Sequence, residues 1–330
     1  MTQAADTSKD ASPRTGASAL VEAMRPLHWV KNAFVAAPLL FSERFTDALS
    51  WLLCAAAVGA FCLAGSAIYL INDIRDRDRD RLHPSKRGRP IASGRLSAGA
   101  AGAAAIVLLG AAGVMVALTE ALTPRPSRIL AGHALATWTG AYVALNLLYT
   151  FWLKHVFIVD VLVVAFGFVL RAMAGAAALA VPVSPWLVVC TLTLCLFIAL
   201  TKRRGELADL PAEQAAAARP VNRAYDEGQL RHMITVSTAM AILTYTLYCL
   251  SPQTVGRLGS AHMVWTVPLV IYGLFRFDRL TRRAGGGDPV AVLVRDPVMW
   301  LILAAYVLLT TAVLRFGDHP AVRDILVFPK

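Results

Sequence analysis

Apolar runs of roughly 17 to 25 residues, each closed by charged residues or a Pro/Gly cluster, recur along most of the chain; this is the length at which a helix crosses a bilayer. Taken in order they give nine spans, at about 27–42, 49–71, 98–118, 129–150, 156–178, 185–201, 232–251, 261–276 and 297–315. The expected fold is all-α, a polytopic membrane helix bundle of about nine transmembrane helices. His28, Lys31, Asn32 and Pro38 in the first span suit a short, tilted or re-entrant helix, and the eighth is short and contains Pro268.

Lys and Arg concentrate in the cytoplasmic connections of membrane proteins, so their positions test the register of the spans. Of 32 basic residues, 24 lie in the N-terminal region through Lys31 and in the connections after spans two, four, six and eight. Seven lie on the other side (Arg44, Arg125, Arg128, Arg257, Arg315, Arg323 and Lys330), and Arg171 lies inside span five. This alternation sets the N-terminus in the cytoplasm and the C-terminus outside; an error of one span would scramble it. The net charge of +11 is therefore topological, and no nucleic-acid partner is expected, because such a domain carries its basic residues on a soluble fold.

Composition agrees: 57% hydrophobic against 16% charged residues excludes an ordinary soluble domain. The five cysteines all sit in apolar runs without metal-binding spacing and read as small hydrophobes. Residues 1–24 lack the apolar core of a secretory signal and are expected to form a disordered cytoplasmic tail. A transmembrane domain follows at 25–316, then an external tail at 317–330. Two cytoplasmic connections, 72–96 and 202–231, are long and polar, and the chemistry is expected there.

Span two runs directly into Asn72-Asp73-Ile74-Arg75-Asp76-Arg77-Asp78-Arg79-Asp80-Arg81. On a continuous helix Asn72, Asp76 and Asp80 recur every fourth residue and Asp73 lies three before Asp76, so these oxygens share a face and Asp78 lies on another. Grouped hard oxygens suit Mg²⁺, which binds through one or two carboxylates plus substrate phosphates. The predicted metal ligands are Asn72, Asp76 and Asp80, with Asp73, Asp76 and Asp80 as the catalytic carboxylates at a diphosphate leaving group. The competing reading is a solvated run in which Arg and Asp merely stabilise a helix. Lys86, Arg87 and Arg89 follow closely; beside such a face they can grip phosphate oxygens, whereas alone they would mark a lipid-headgroup patch.

Arg171 is costly in hydrocarbon and so is a functional candidate. Asp160 precedes it by close to three turns and can share its side of the helix, but roughly 16 Å of axial separation argues against direct pairing. His28, His83, His155 and His232 are assigned no role, and Tyr225-Asp226-Glu227 stands open to a lid or substrate-loop role.

The combination of N-D-x-x-D-x-x-x-D from Asn72 with K-R-x-R-P-I-A-x-G from Lys86 resembles the UbiA superfamily of intramembrane prenyltransferases. More narrowly, the chain is similar to the branch that attaches phosphoribose to a polyprenyl (decaprenyl) phosphate. Arg25-Pro26-Leu27-His28-Trp29-Val30-Lys31-Asn32, Tyr149-Thr150-Phe151-Trp152-Leu153-Lys154 and Leu170-Arg171-Ala172-Met173-Ala174-Gly175 carry that narrower similarity. Lys202-Arg203-Arg204-Gly205-Glu206-Leu207 stands where typical members have a second aspartate-rich motif, with Asp209 and Glu213 following on either side of Pro211.

The resemblance implies a UbiA-like bundle with Mg²⁺ as cofactor, phosphoribosyl pyrophosphate (PRPP) as donor and a polyprenyl phosphate lipid as acceptor. It implies a multi-pass protein of a bacterial inner (cell) membrane, its active site facing the cytoplasm, supplying cell-envelope polysaccharide synthesis. Lys86, Arg87, Lys202 and Arg203 are then expected on donor or acceptor phosphates, and Lys31, Tyr149 and Lys154 at the cavity mouth. Arg171 is expected on the polar path of an anionic phosphate, and Glu206 on one of the cations or the ribose. A homo-oligomer is compatible with the pattern. The alternatives are transfer of a polyprenyl group from its diphosphate to an aromatic or other acceptor, and a non-enzymatic transporter or lipid-binding protein.

Overall fold

A computed structural model of the chain describes residues 16–40, 42–84, 86–123, 134–208, 220–258, 260–283, 293–317 and 319, and the regular structure among them is helical. Helix α1 (Ala17–Met24) leads through a 3-10 segment (Pro26–Asn32) into the short α2 (Ala33–Leu40). The long α3 (Ala48–Arg75) is followed by α4 (Arg77–Leu82), α5 (Ala98–Leu122) and α6 (Ala134–Phe151). Then come α7 (Val159–Ala178), α8 (Pro185–Ala208), α9 (Glu227–Leu250), α10 (Pro252–Leu258), α11 (Val267–Arg283) and α12 (Pro297–Phe316).

Six of these, α3, α5, α7, α8, α9 and α12, are long and apolar enough to cross a bilayer. The other three expected spans are helical but do not reach that standard as described. Span one is the 3-10 segment plus the eight residues of α2, in which Pro38 lacks a backbone donor; α6 has 18 residues and α11 has 17. The count of nine is thus an expectation that the described helices meet only in part.

The N-terminal boundary is corrected. The tail was expected to run through residue 24, but α1 buries Ala19 and Ala23 in a cluster with Ala67, Leu70, Ile91 and Ala101. Small side chains let this short helix lie close on the C-terminal end of α3, and Arg95 ties it down with two bonds to Glu22 at 2.7 and 2.8 Å. Residues 1–15 and most of the C-terminal tail lie outside the described residues.

Helix starts are set by side-chain caps, which satisfy amide donors left over in a first turn. Asp47 accepts from Leu49 and Ser50 at α3, Ser97 from Ala100 at α5, Asp226 from Gln229 at α9 and Asp296 from Met299 at α12.

Two apolar clusters organise the interior. One joins Val35, Phe61, Tyr142 and Leu170 from α2, α3, α6 and α7; the other joins Val161, Phe197, Leu230 and Phe277 from α7, α8, α9 and α11. Helix α7 belongs to both, which makes it the central post of the bundle. At Gly175 an added Cβ would stand 1.8 Å from the Val35 carbonyl oxygen, so α2 can press onto α7 only because that position has no side chain. Outward faces of α5 and α12 leave Ile106, Val107, Leu118, Leu301 and Leu308 exposed, the surface a lipid chain covers.

Candidate functional site

The aspartate run does not continue as one helix. Helix α3 ends at Arg75, Asp76 takes φ −93° and ψ 3°, and α4 begins at Arg77. The axis is not lost, because Asp76 N–H still donates to the Asn72 carbonyl at 2.9 Å and Asp80 N–H to the Asp76 carbonyl at 2.8 Å. The carboxylates, however, are drawn to cations on different elements once the chain leaves the packed bundle.

Asp73 and Asp80, both buried, converge on one guanidinium nitrogen: Arg89 Nη1 lies 3.3 Å from Asp73 Oδ1 and 2.7 Å from Asp80 Oδ2. Arg25 adds a second cation to Asp73 at 2.5 Å. Its backbone is left-handed (φ 56°), which ends α1 and places the side chain over the Tyr69 ring. Asp76 turns instead to Lys154, whose Nζ donates to both carboxylate oxygens at 2.7 and 2.9 Å. Asp78 lies on the exposed side with Arg77 and Arg81, as its helical position predicts.

The loop carrying Arg89 is fixed by Arg81 Nε on the Ala92 carbonyl and by Gly94 at φ 81°, a backbone position that suits glycine. Burial pushes the Asp80 carboxyl up against the pull of Arg89.

At the end of α8 the second motif is arranged differently from the expectation. Arg203 is 4% exposed, and its guanidinium donates to Asp160 on α7, to Glu206 Oε2 at 2.5 Å and to Asn222 Oδ1 at 3.2 Å. Asp160 is fully buried and also accepts from the Tyr225 hydroxyl at 2.6 Å. Arg203 was expected on a substrate phosphate, but its position on the inner side of α8 turns it to α7, where a buried carboxylate claims it. Lys202 remains half-exposed, 4.0 Å from Glu206.

The two motifs adjoin: the His83 imidazole is pushed down by burial and by Lys86, and Glu206 acts on it in the opposite direction. Lys86 is felt electrostatically at both His83 and Asp80, and Arg87 is exposed on the same loop. Lys31 Nζ lies 3.0 Å from His28 Nδ1, and Tyr149 is half-buried near the end of α6. The side chain of Asn72 is likewise half-buried. Asp209 and Glu213 lie outside the described residues.

Arg171 is not brought to this group. Its Nε donates to Asn32 Oδ1 at 3.0 Å, Nη1 to the Gly167 carbonyl at 3.1 Å and Nη2 to the Tyr142 hydroxyl at 2.8 Å, between the Tyr142 and Phe168 rings. Every nitrogen is engaged by the bundle itself, so the arginine pins the 3-10 segment before α2, α6 and α7 together rather than lining an open path. As the axial separation suggested, Asp160 and Arg171 do not pair with each other; Arg171, expected on the path of an anionic phosphate, is instead held by Asn32, Gly167 and Tyr142.

Among the described residues no three His, Cys, Asp or Glu side chains converge to hold a metal. The set Asn72, Asp76 and Asp80 is therefore not assembled as an all-protein cage, because Asp76 is turned to Lys154. What is assembled is a pair, Asp73 and Asp80, with a positive nitrogen between them. That donor set fits Mg²⁺ bound by one or two carboxylates and completed by water and diphosphate oxygens. Sequence reasoning left Arg25 and Asn222 out of the site, named Arg89 only as a cation for phosphate oxygens, and assigned Asp160 and Tyr225 no partner there. Charge balance was the available signal for the pairing of Arg25 and Arg89 with Asp73 and Asp80, since buried carboxylates demand cations.

A helical bundle with apolar outward faces and a dense group of buried ion pairs at one end has the character of an integral membrane transferase. The UbiA prenyltransferase family model matches residues 32–293, and the chain belongs to that family. It is 34% identical to decaprenyl-phosphate phosphoribosyltransferase of Corynebacterium glutamicum over 92% of this chain and 88% of that protein. The protein of the same name from Mycobacterium tuberculosis is 33% identical over 92% of this chain and 97% of its own. In fold the chain is similar to a UbiA homolog from Archaeoglobus fulgidus solved bound to DMAPP and Mg²⁺ (TM-score 0.65, 16% identity, 90% of this chain and 99% of that one).

Proposed function

We propose that the protein transfers 5-phosphoribose from PRPP to a polyprenyl phosphate such as decaprenyl phosphate, releasing pyrophosphate. The observation that carries this reading is the second motif: it leads with cations, Lys202 and Arg203, and Arg203 is committed to Asp160 and Glu206. A site that gripped an allylic diphosphate through a second metal would need paired acids there. The two relatives whose names state this activity, similar across 92% of the chain, support the same reading. The alternation of basic residues supports a cytoplasmic site in a bacterial inner membrane, where a soluble phosphosugar is available.

An acceptor phosphate, with a second pKa near ~6, is already ionised at neutral pH, so no strong general base is required. One of its oxygens attacks the anomeric carbon, the bond from that carbon to pyrophosphate breaks, and the electron pair leaves with pyrophosphate. Direct displacement inverts the anomeric centre. Bound Mg²⁺ supplies charge neutralisation to the diphosphate. Asp73 and Asp80 hold that charge in place with Asp76 beside them. Lys154, Lys86 and Arg87 grip phosphate oxygens, and the carboxylates stabilise positive charge developing on the ribose ring. Lys202, steadied by Glu206, receives the acceptor phosphate.

The test is label transfer in membranes containing the protein. Label from PRPP should enter a lipid only when both polyprenyl phosphate and Mg²⁺ are added. Label that enters lipid or acceptor only from an allylic diphosphate would instead establish prenyl transfer, the reading favoured by the fold's similarity to a DMAPP-bound homolog.

A further inference from the structure

The segment from Lys154 to Asp160 touches both halves of the site. At one end Lys154 holds Asp76 of the first motif; at the other Asp160 holds Arg203, which in turn carries Glu206 of the second. Between them Ile158 has φ 66° and ψ −41°, and Val159 N–H donates to the Phe157 carbonyl at 2.8 Å. This is a γ-turn with a positive central φ, a rare and strained conformation, here imposed on a β-branched residue. Strain of this kind persists only where the surroundings enforce it.

Tyr225 is what enforces it. Its hydroxyl accepts the Ile158 N–H at 3.1 Å and donates to Asp160 Oδ1 at 2.6 Å, while its ring packs on Phe157 with centroids 4.8 Å apart. One side chain, arriving from the connection after α8, thus holds two positions of the turn, Phe157 and Ile158, and Asp160 just beyond it. An ordinary helix start needs no such arrangement, since a cap and a relaxed turn would begin α7 equally well.

We propose that Tyr225 and Asp160 are positioning residues that lock the strained turn at Ile158, and through it hold Lys154 and Glu206 in register for a magnesium-bound diphosphate. The inference rests on the function above only for the presence of a diphosphate, not for the group transferred. Neither residue touches the reacting atoms; both act through Lys154 and Arg203.

The test uses the full-length protein in lipid nanodiscs, with magnesium pyrophosphate as the probe and calorimetric titration as the readout. Tyr225→Phe keeps the ring and removes only the hydroxyl, and should weaken pyrophosphate binding about tenfold, the scale of a misplaced contact. Adding Ile158→Gly should restore most of the affinity, because glycine adopts positive φ without strain. A general loss of packing would not be rescued by this change. Wild-type affinity in Tyr225→Phe, or a loss that Ile158→Gly leaves untouched, would overturn the proposal. If Tyr225→Phe shows no melting transition, recovery of the fold in the double variant supports it and failure to recover overturns it. Because pyrophosphate binding is indifferent to the group transferred, this inference and the phosphoribosyl assignment can fail separately.

Discussion

Lys154 and Asp76, 78 positions apart in sequence, meet through two bonds of 2.7 and 2.9 Å, with the lysine 7% exposed and the aspartate 21%. The contact joins the short 3-10 turn after α6 to the break between α3 and α4, which places the cation beside the carboxylates proposed to hold the diphosphate. Lys154→Ala should lower kcat/KM by ~10²–10³-fold, the usual cost of removing one preorganised donor. Lys154→Arg should recover part of it. Steady-state kinetics on membranes decide the matter; a Lys154→Ala enzyme with wild-type kcat/KM would remove the lysine from the site.

Lys202 and Arg203 are neighbours in sequence with opposite fates, and their alanine variants should separate accordingly. Arg203→Ala strands the fully buried Asp160, and breaking such a pair costs ~3–5 kcal/mol, so the protein should melt markedly earlier. Lys202→Ala should melt normally and raise the KM for the lipid phosphate about tenfold, the equivalent of one hydrogen bond to a charged group. Equal melting temperatures for the two variants would contradict the assignment of Arg203 to the interior.

Gly175→Ala should destabilise the bundle with no charge altered. The new Cβ would lie 1.8 Å from the Val35 oxygen and 2.8 Å from its carbonyl carbon, so α2 must shift. Overpacking of this type costs ~1–3 kcal/mol. Thermal unfolding in detergent should show the loss, and an unchanged midpoint would mean that α2 does not press on α7 this closely.

The cap of α12 predicts a pH dependence. Arg276 donates to both oxygens of Asp296 at 3.0 and 2.8 Å, and with the Met299 amide this holds the carboxyl below its ordinary value of 3.8. A carboxylate with a depressed folded pKa stabilises above its unfolded pKa and loses that contribution as pH falls through the folded one. The melting difference between wild type and Asp296→Ala should therefore be steady near neutrality and close only as the pH falls below the ordinary carboxylate range. A gap that widened in acid would contradict the pairing.

Spans and the first motif were legible because both are local signals: hydropathy runs and aspartates three or four residues apart. The helix break at Asp76 was not, because it depends on which cations lie nearby. The partners that matter, Arg25 for Asp73, Lys154 for Asp76 and Asp160 for Arg203, come from 48, 78 and 43 positions away and are set by helix packing. The same gap explains Arg203 and Arg171. Sequence identified each as a cation that needs a reason to be there, but only packing says whether the reason is a ligand or the bundle. Helix α1 escaped notice because its burial rests on Ala19 and Ala23, too small to register as an apolar face.

The central claim is that the diphosphate at Asp73, Asp76 and Asp80 belongs to a phosphosugar. The direct measurement is the mass of the lipid product formed by purified protein in nanodiscs offered PRPP, an allylic diphosphate, decaprenyl phosphate and Mg²⁺ together. One new species is expected, decaprenyl phosphate carrying a phosphoribosyl group, absent with EDTA and absent in Asp80→Ala. A prenylated product with PRPP left intact would contradict the claim.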